Sequence, residues 1–150
     1  RQGFYREAEE RLSVLISNCS SSQEMLVLFT KILANQGKLE DAFHWCKKAV
    51  SAEKFNPQLH YLLAIILEEQ KKVEEAKASL KKALYLDPDF VLAHFALANI
   101  SQRGGKIAEA QKHFGNTTEI LSKYKPDEIL PESEGITAGR LSEMIGAVRL

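Results

Sequence analysis

The side chains best suited to bind a metal or attack a carbonyl are four histidines, His44, His60, His94 and His113, and two cysteines, Cys19 and Cys46. His60 and His94 lie 34 residues apart. Structural metal sites draw their ligands from close pairs, and two cysteines cannot supply a four-thiolate cage. Repetition of one structural unit explains the His60 and His94 spacing better than ligation does, so no metal site is expected. Cys46 with His44 offers a thiol and a base, but two residues apart on a helix they point to different faces. Cys46 is expected to act as a small core hydrophobe. Gly104-Gly105 is the one glycine pair that could cradle a phosphate, yet no strand signal precedes it, and phosphate-binding glycine turns link a strand to a helix. No catalytic, cofactor-binding or metal-binding residue is expected in this chain, and a thiol or metal hydrolase is the least favoured reading.

The elements that hold these residues follow from a repeat. Ala8, Ala42, Ala76 and Ala110 recur every 34 residues, each preceded by an acid: Glu7, Asp41, Glu75 and Glu109. The same frame aligns Gly3, Gly37 and Gly105, with Lys71 as the exception, then Leu12, Cys46, Leu80 and Phe114. Phe29, Leu63 and Leu97 align upstream, followed by Thr30, Ala64 and Ala98. Apolar residues at three- and four-residue steps on both sides of each Gly or Lys turn predict helical hairpins. First helices are expected at about 23 to 36, 57 to 70 and 91 to 103, second helices at about 4 to 16, 40 to 53, 74 to 86 and 107 to 123. Thr30, Ala64 and Ala98 should face Ala42, Ala76 and Ala110, because two helices approach within about 8 to 10 Å only where side chains are short.

Composition is that of an ordinary globular chain. Lys and Arg total 20 against 20 Asp and Glu in 150 residues. Nucleic-acid and polybasic membrane binders carry surplus positive charge, so neither partner is expected. The longest apolar run, Tyr61 to Leu67, falls far short of the ~20 residues that span a bilayer. The low cysteine content suggests a reducing, cytoplasmic compartment. Arg1 falls inside a structural unit, so the chain reads as part of a longer protein. Helix 4 to 16 would then expose Phe4, Leu12 and Ile16, an edge that invites self-association.

The period, and the order of small and large residues within it, resemble the tetratricopeptide repeat. The resemblance implies a right-handed superhelix of helical hairpins with a C-terminal capping helix. It divides residues 1 to 123 into a second helix of a truncated repeat at 1-22, repeats at 23-56 and 57-90 and a divergent repeat at 91-123, and the residues beyond read as a linker at 124-136 and a C-terminal helix at 137-150. The position where the family favours Trp holds Leu26, His60 and His94. In this family the first helices line a groove for a peptide or protein. The resemblance therefore makes Glu24, Val27, Lys31 and Asn35, then Gln58, Tyr61, Ile65 and Glu68, then Leu92, Phe95, Asn99, Gln102 and Arg103 the groove-facing set, with Val27, Tyr61 and Phe95 as an apolar ladder. Chaperone-binding members grip a C-terminal carboxylate with Lys and Asn, and this chain lacks that pattern, so apolar anchoring is expected.

The tail differs in kind. Pro126 and Pro131 preclude an uninterrupted helix, and an extended linker from Pro126 to Gly135 is expected. Beyond it Leu141, Met144, Ile145 and Val148 form one apolar stripe that needs a partner surface, with Thr137 able to cap it. The end of the last repeat, near Phe114 and Ile120, is the favoured dock and the groove the alternative. The run Leu130-Pro131-Glu132-Ser133-Glu134-Gly135-Ile136-Thr137-Ala138-Gly139-Arg140-Leu141 resembles the closing segment of chemotaxis receptor methyltransferases of the CheR family that carry tetratricopeptide repeats. That resemblance implies an S-adenosylmethionine-dependent protein-glutamate methyltransferase as parent, with this chain as its inactive docking part and a chemoreceptor or signalling adaptor as partner. The alternative is the repeat domain of a free-standing adaptor or scaffold.

Overall fold

The computed structural model describes residues 23–131, 133 and 135–149, with side chains from Leu28 to Ala147 among them. Seven helices occur among these residues: α1 Gln23–Asn35, α2 Leu39–Ala52, α3 Pro57–Glu69, α4 Val73–Leu86, α5 Val91–Arg103, α6 Ile107–Leu121 and α7 Ala138–Arg149. The described residues contain no strand, only an isolated antiparallel bridge between Ile129 and Thr137. Two compact units, Arg1–Ser79 and Leu80–Leu150, succeed one another along the chain, the division falling within α4. The expected helix at 4 to 16, with Phe4, Leu12 and Ile16, and Cys19 lie outside the described residues.

In the first unit α1 packs on α2 and α2 on α3. Thr30, Ala42, Ala64 and Ala76 are all buried, as the close approach of paired helices requires. Each hairpin turn repeats one backbone hydrogen bond of the kind that closes a helix C-terminus: Lys38 N to Leu33 O and Lys72 N to Leu67 O, both 2.9 Å. The residue before the donor takes a left-handed conformation, Gly37 at φ 78° and Lys71 at φ 66°. Lysine there carries a Cβ into a region that glycine enters freely. α3 starts sharply because Asn56 accepts a hydrogen bond from Gln58 N at 3.0 Å and Pro57 fixes the first helical φ.

In the second unit α5 pairs with α6, and α7 packs on α6. Leu97, Ala98, Ala110, Phe114 and Leu121 form the core. The turn again closes with one such bond, Lys106 N to Ser101 O at 2.9 Å, over Gly105 at φ 78°. α4 ends at Asp87-Pro88, where Asp87 Oδ1 accepts from Asp89 N at 3.1 Å. Thr117 and Thr118 donate their hydroxyls to His113 O and Phe114 O, one turn back, at 2.8 and 3.0 Å. That internal donation lets Thr117 sit fully buried.

The tail corrects one expectation. The described residues between Pro126 and Thr137 form a closed loop and not an extended linker. Leu130 N donates to Ile136 O at 2.8 Å, Ala138 N to Glu128 O at 2.9 Å, and Gly139 N to Pro126 O at 2.9 Å. Ser133 Oγ donates to Leu130 O at 2.6 Å and accepts from Ile136 N at 3.0 Å, and Leu130 is buried. A Cβ on Gly139 would lie 2.9 Å from Pro126 O, so the closure demands glycine. Thr137 caps α7 by accepting from Arg140 N at 3.1 Å. Ala138, Leu141 and Ile145 are buried and Met144 is half-buried, while the side chain of Val148 lies outside the described residues. Packing of α7 on α6 places the stripe at the end of the last repeat, the favoured of the two docks.

Candidate functional site

The expected groove residues fall on α1, α3 and α5. The side chains of Glu24 and Val27 lie outside the described residues, Lys31 is half-buried and Asn35 exposed. On α3, Gln58 is exposed and Tyr61, Ile65 and Glu68 are half-buried. Their four- and three-residue steps put the latter three on one helix face. In the second unit Phe95, Asn99 and Gln102 share a face of α5 in the same way and are half-buried, and Arg103 is exposed. Arg103 Nε donates to Asn99 O at 3.4 Å.

Leu92 is a correction: at 6% exposure it offers a ligand almost nothing. The whole stretch Phe90 to Ala93 is buried, because the first turn of α5 enters the core from all sides. Phe95 has two roles, since its ring meets Phe114 edge-on with centroids 6.2 Å apart. The rungs of the expected ladder therefore belong to separate units, Tyr61 to the first and Phe95 to the second.

The histidines of the repeat frame have a task that sequence reasoning missed. His60 Nε2 donates to Lys54 O at 2.8 Å and His94 Nε2 to Pro88 O at 2.9 Å. Each ties the first turn of a first helix to the loop six residues earlier. A carbonyl can only accept, so Nε2 carries a proton in each ring. The pairing of a repeated His with a turn a fixed six residues upstream was the available signal. Cys46 is buried, donates weakly to Leu59 O at 3.7 Å, and burial pushes its thiol up to about 12, against a smaller opposing pull from Lys47. Such a thiol stays protonated and is no nucleophile at neutral pH. Among the described residues no three His, Cys, Asp or Glu side chains are placed to hold a metal ion.

Aromatic rings on α2 carry lysines. Lys47 and Lys72 lie 5.7 and 5.1 Å from the centroid of Phe43, and Lys48 lies 4.8 Å from that of Trp45. These contacts fix lysine stems against the outside of the hairpin and add little charge selectivity by themselves. Among the described residues no helix is long and apolar enough to cross a membrane.

Comparison with known proteins places this geometry. Residues 57–90 match the family model of the tetratricopeptide repeat. No curated protein matches the chain. Solved structures do: MamA 41-end from Desulfovibrio magneticus RS-1 is 19% identical with a TM-score of 0.72, over 81% of this chain and 69% of that one. MamA of AMB-1 is 22% identical with a TM-score of 0.69, over 81% and 72%. MamA of MSR-1 is 23% identical with a TM-score of 0.68, over 81% and 70%. At these identities the likeness is one of fold. Residues 57–90 are thus a tetratricopeptide repeat, set in an all-α fold of paired helices that this chain shares with MamA.

Proposed function

We propose that the chain is a protein-interaction domain that holds a peptide or a protein segment on the exposed face of α3, as part of an adaptor or scaffold. The tetratricopeptide repeat at 57–90 is the observation that supports this most. Its first helix, α3, offers Tyr61 and Ile65 as apolar contacts between Gln58 and Glu68, a surface suited to apolar side chains flanked by polar backbone. Glu68 repels a ligand carboxylate.

The tail run Leu130 to Leu141 favours a narrower version, in which the chain is the docking part of a CheR-type receptor methyltransferase whose parent binds S-adenosylmethionine. The comparisons lend that parent no support, and the adaptor reading stands ahead of it. The coding sequence upstream of Arg1 separates the two: a methyltransferase domain there selects the narrower one.

The test is selection of peptides from a displayed library on the immobilised chain, followed by calorimetry of the enriched peptide. Tyr61→Ala should weaken binding by about tenfold or more while helical content is unchanged, because an aromatic anchor carries a large share of such interfaces. Absence of any enriched peptide, or undiminished binding to the variant, overturns the assignment.

A further inference from the structure

His94 on α5 and His113 on α6 face one another with ring centroids 6.3 Å apart. His94 Nε2 is committed to Pro88 O. The Nδ1 atoms of both rings are buried and make no hydrogen bond within the protein. Protonating His113 would create a buried N–H donor and a positive charge in this contact. Three neighbours oppose that charge: His94 across the hairpin, Lys112 on α6 and Lys81 on α4. Glu109, one turn earlier on α6, is the single carboxylate that favours it. Burial, ahead of these charges, holds His113 below its ordinary value of 6.5.

The contact is also specific to this hairpin. Ser79 stands at the position of His113 in the preceding repeat, and Trp45 in the one before that. Next to the imidazole pair, Phe95 and Phe114 form the edge-on pair already described.

We propose that the His94 and His113 pair is an acid-sensitive latch of the second unit: the neutral His113 ring against His94 holds α5 on α6, and protonation of His113 turns its ring to solvent and loosens α5, Phe95 included. His113 is half-buried, so rotation of its side chain reaches water without unfolding the helix. The sign follows from the depressed value. The folded state disfavours the charged ring, so the second unit keeps its full stability well above 6.5 and loses it as pH falls through 6.5 toward the lower folded value. That Phe95 then presents a weaker ligand surface rests on the proposed function. The loosening does not.

Amide hydrogen exchange on the full chain, at about pH 7.5 and about pH 5.5 and corrected for intrinsic rates, reads the latch directly. Peptides from 91–103 and 107–121 should exchange several-fold faster in acid, relative to those from 57–69. His113→Ser, which installs the residue of the preceding repeat, should remove the difference. An NMR titration of the unaltered protein gives a second readout that does not depend on the variant folding: the His113 ring should titrate below 6.5. Equal acid response in both regions, an unchanged response in His113→Ser, or a His113 midpoint at or above that value overturns the proposal. Loss of peptide affinity in acid with unchanged exchange would sink the latch and leave the binding function standing.

Discussion

The α1–α2 hairpin and the α5–α6 hairpin occupy the same positions of the 34-residue frame and fill them with different chemistry. Phe29 and Cys46 in the first correspond to Leu97 and Phe114 in the second, all four buried. The large ring has changed helix, and the column that holds a thiol in one holds a phenyl in the other. Beside it, Trp45 stacks on Phe29 at 5.2 Å, whereas its counterpart His113 faces His94. The frame therefore keeps volume between paired helices and leaves identity open. It also leaves polarity open: the first hairpin closes on an indole and a phenyl, the second on two imidazoles.

The sharpest way to break this comparison is to truncate the same column twice. Phe114→Ala should cost about 3 to 5 kcal/mol, the usual range for a buried phenyl, and Cys46→Ala about 1 kcal/mol, since it removes one buried heavy atom. Denaturant unfolding of both variants reads the difference, and equal costs would mean that the column does not carry the packing ascribed to it. Deleting residues 136 to 150 should have the next largest effect. It strips Leu141 and Ile145 from α6 and should lower stability by about 3 kcal/mol, given roughly 1.5 to 3 kcal/mol per buried aliphatic side chain less the ordering of the segment. Thermal melting would show it, and the affinity for a selected peptide should not move. Stronger binding after deletion would indicate that α7 competes for the ligand surface. The smallest effect separates the turns. Lys71→Gly should stabilise by about 1 kcal/mol, because it relieves a left-handed residue with a Cβ, while Gly105→Lys should lose a similar amount. A destabilised Lys71→Gly would show that the lysine side chain contributes more than its backbone strain removes.

Much of this architecture was legible because helical hairpins are written in local periodicity. The second helices read from 40, 74 and 107 begin at Leu39, Val73 and Ile107, and the first two first helices end one residue before their expected ends, at Asn35 and Glu69. Such shifts come from the turn bonds at Lys38 and Lys72, which belong to the backbone and not to any side-chain pattern. The loop at 126–139 was illegible for the same reason. Its shape is set by amide-to-carbonyl pairing across the bridge, and two prolines in a row of acids suggest extension. The ligand surface was legible as positions only. Which first-helix residues keep an exposed face depends on how the next helix enters the core, and Leu92 is lost to the ligand because α5 begins buried on every side.

The self-closed tail bears on how a protein built this way can change length. Leu130 and Ser133 pair with one another, Gly139 pairs with Pro126, and α7 packs on α6, so this segment is held by the hairpin it covers. Copying or losing a repeat upstream would leave that cassette intact. The segment is thereby a self-contained cover, open to transplantation onto another helical hairpin.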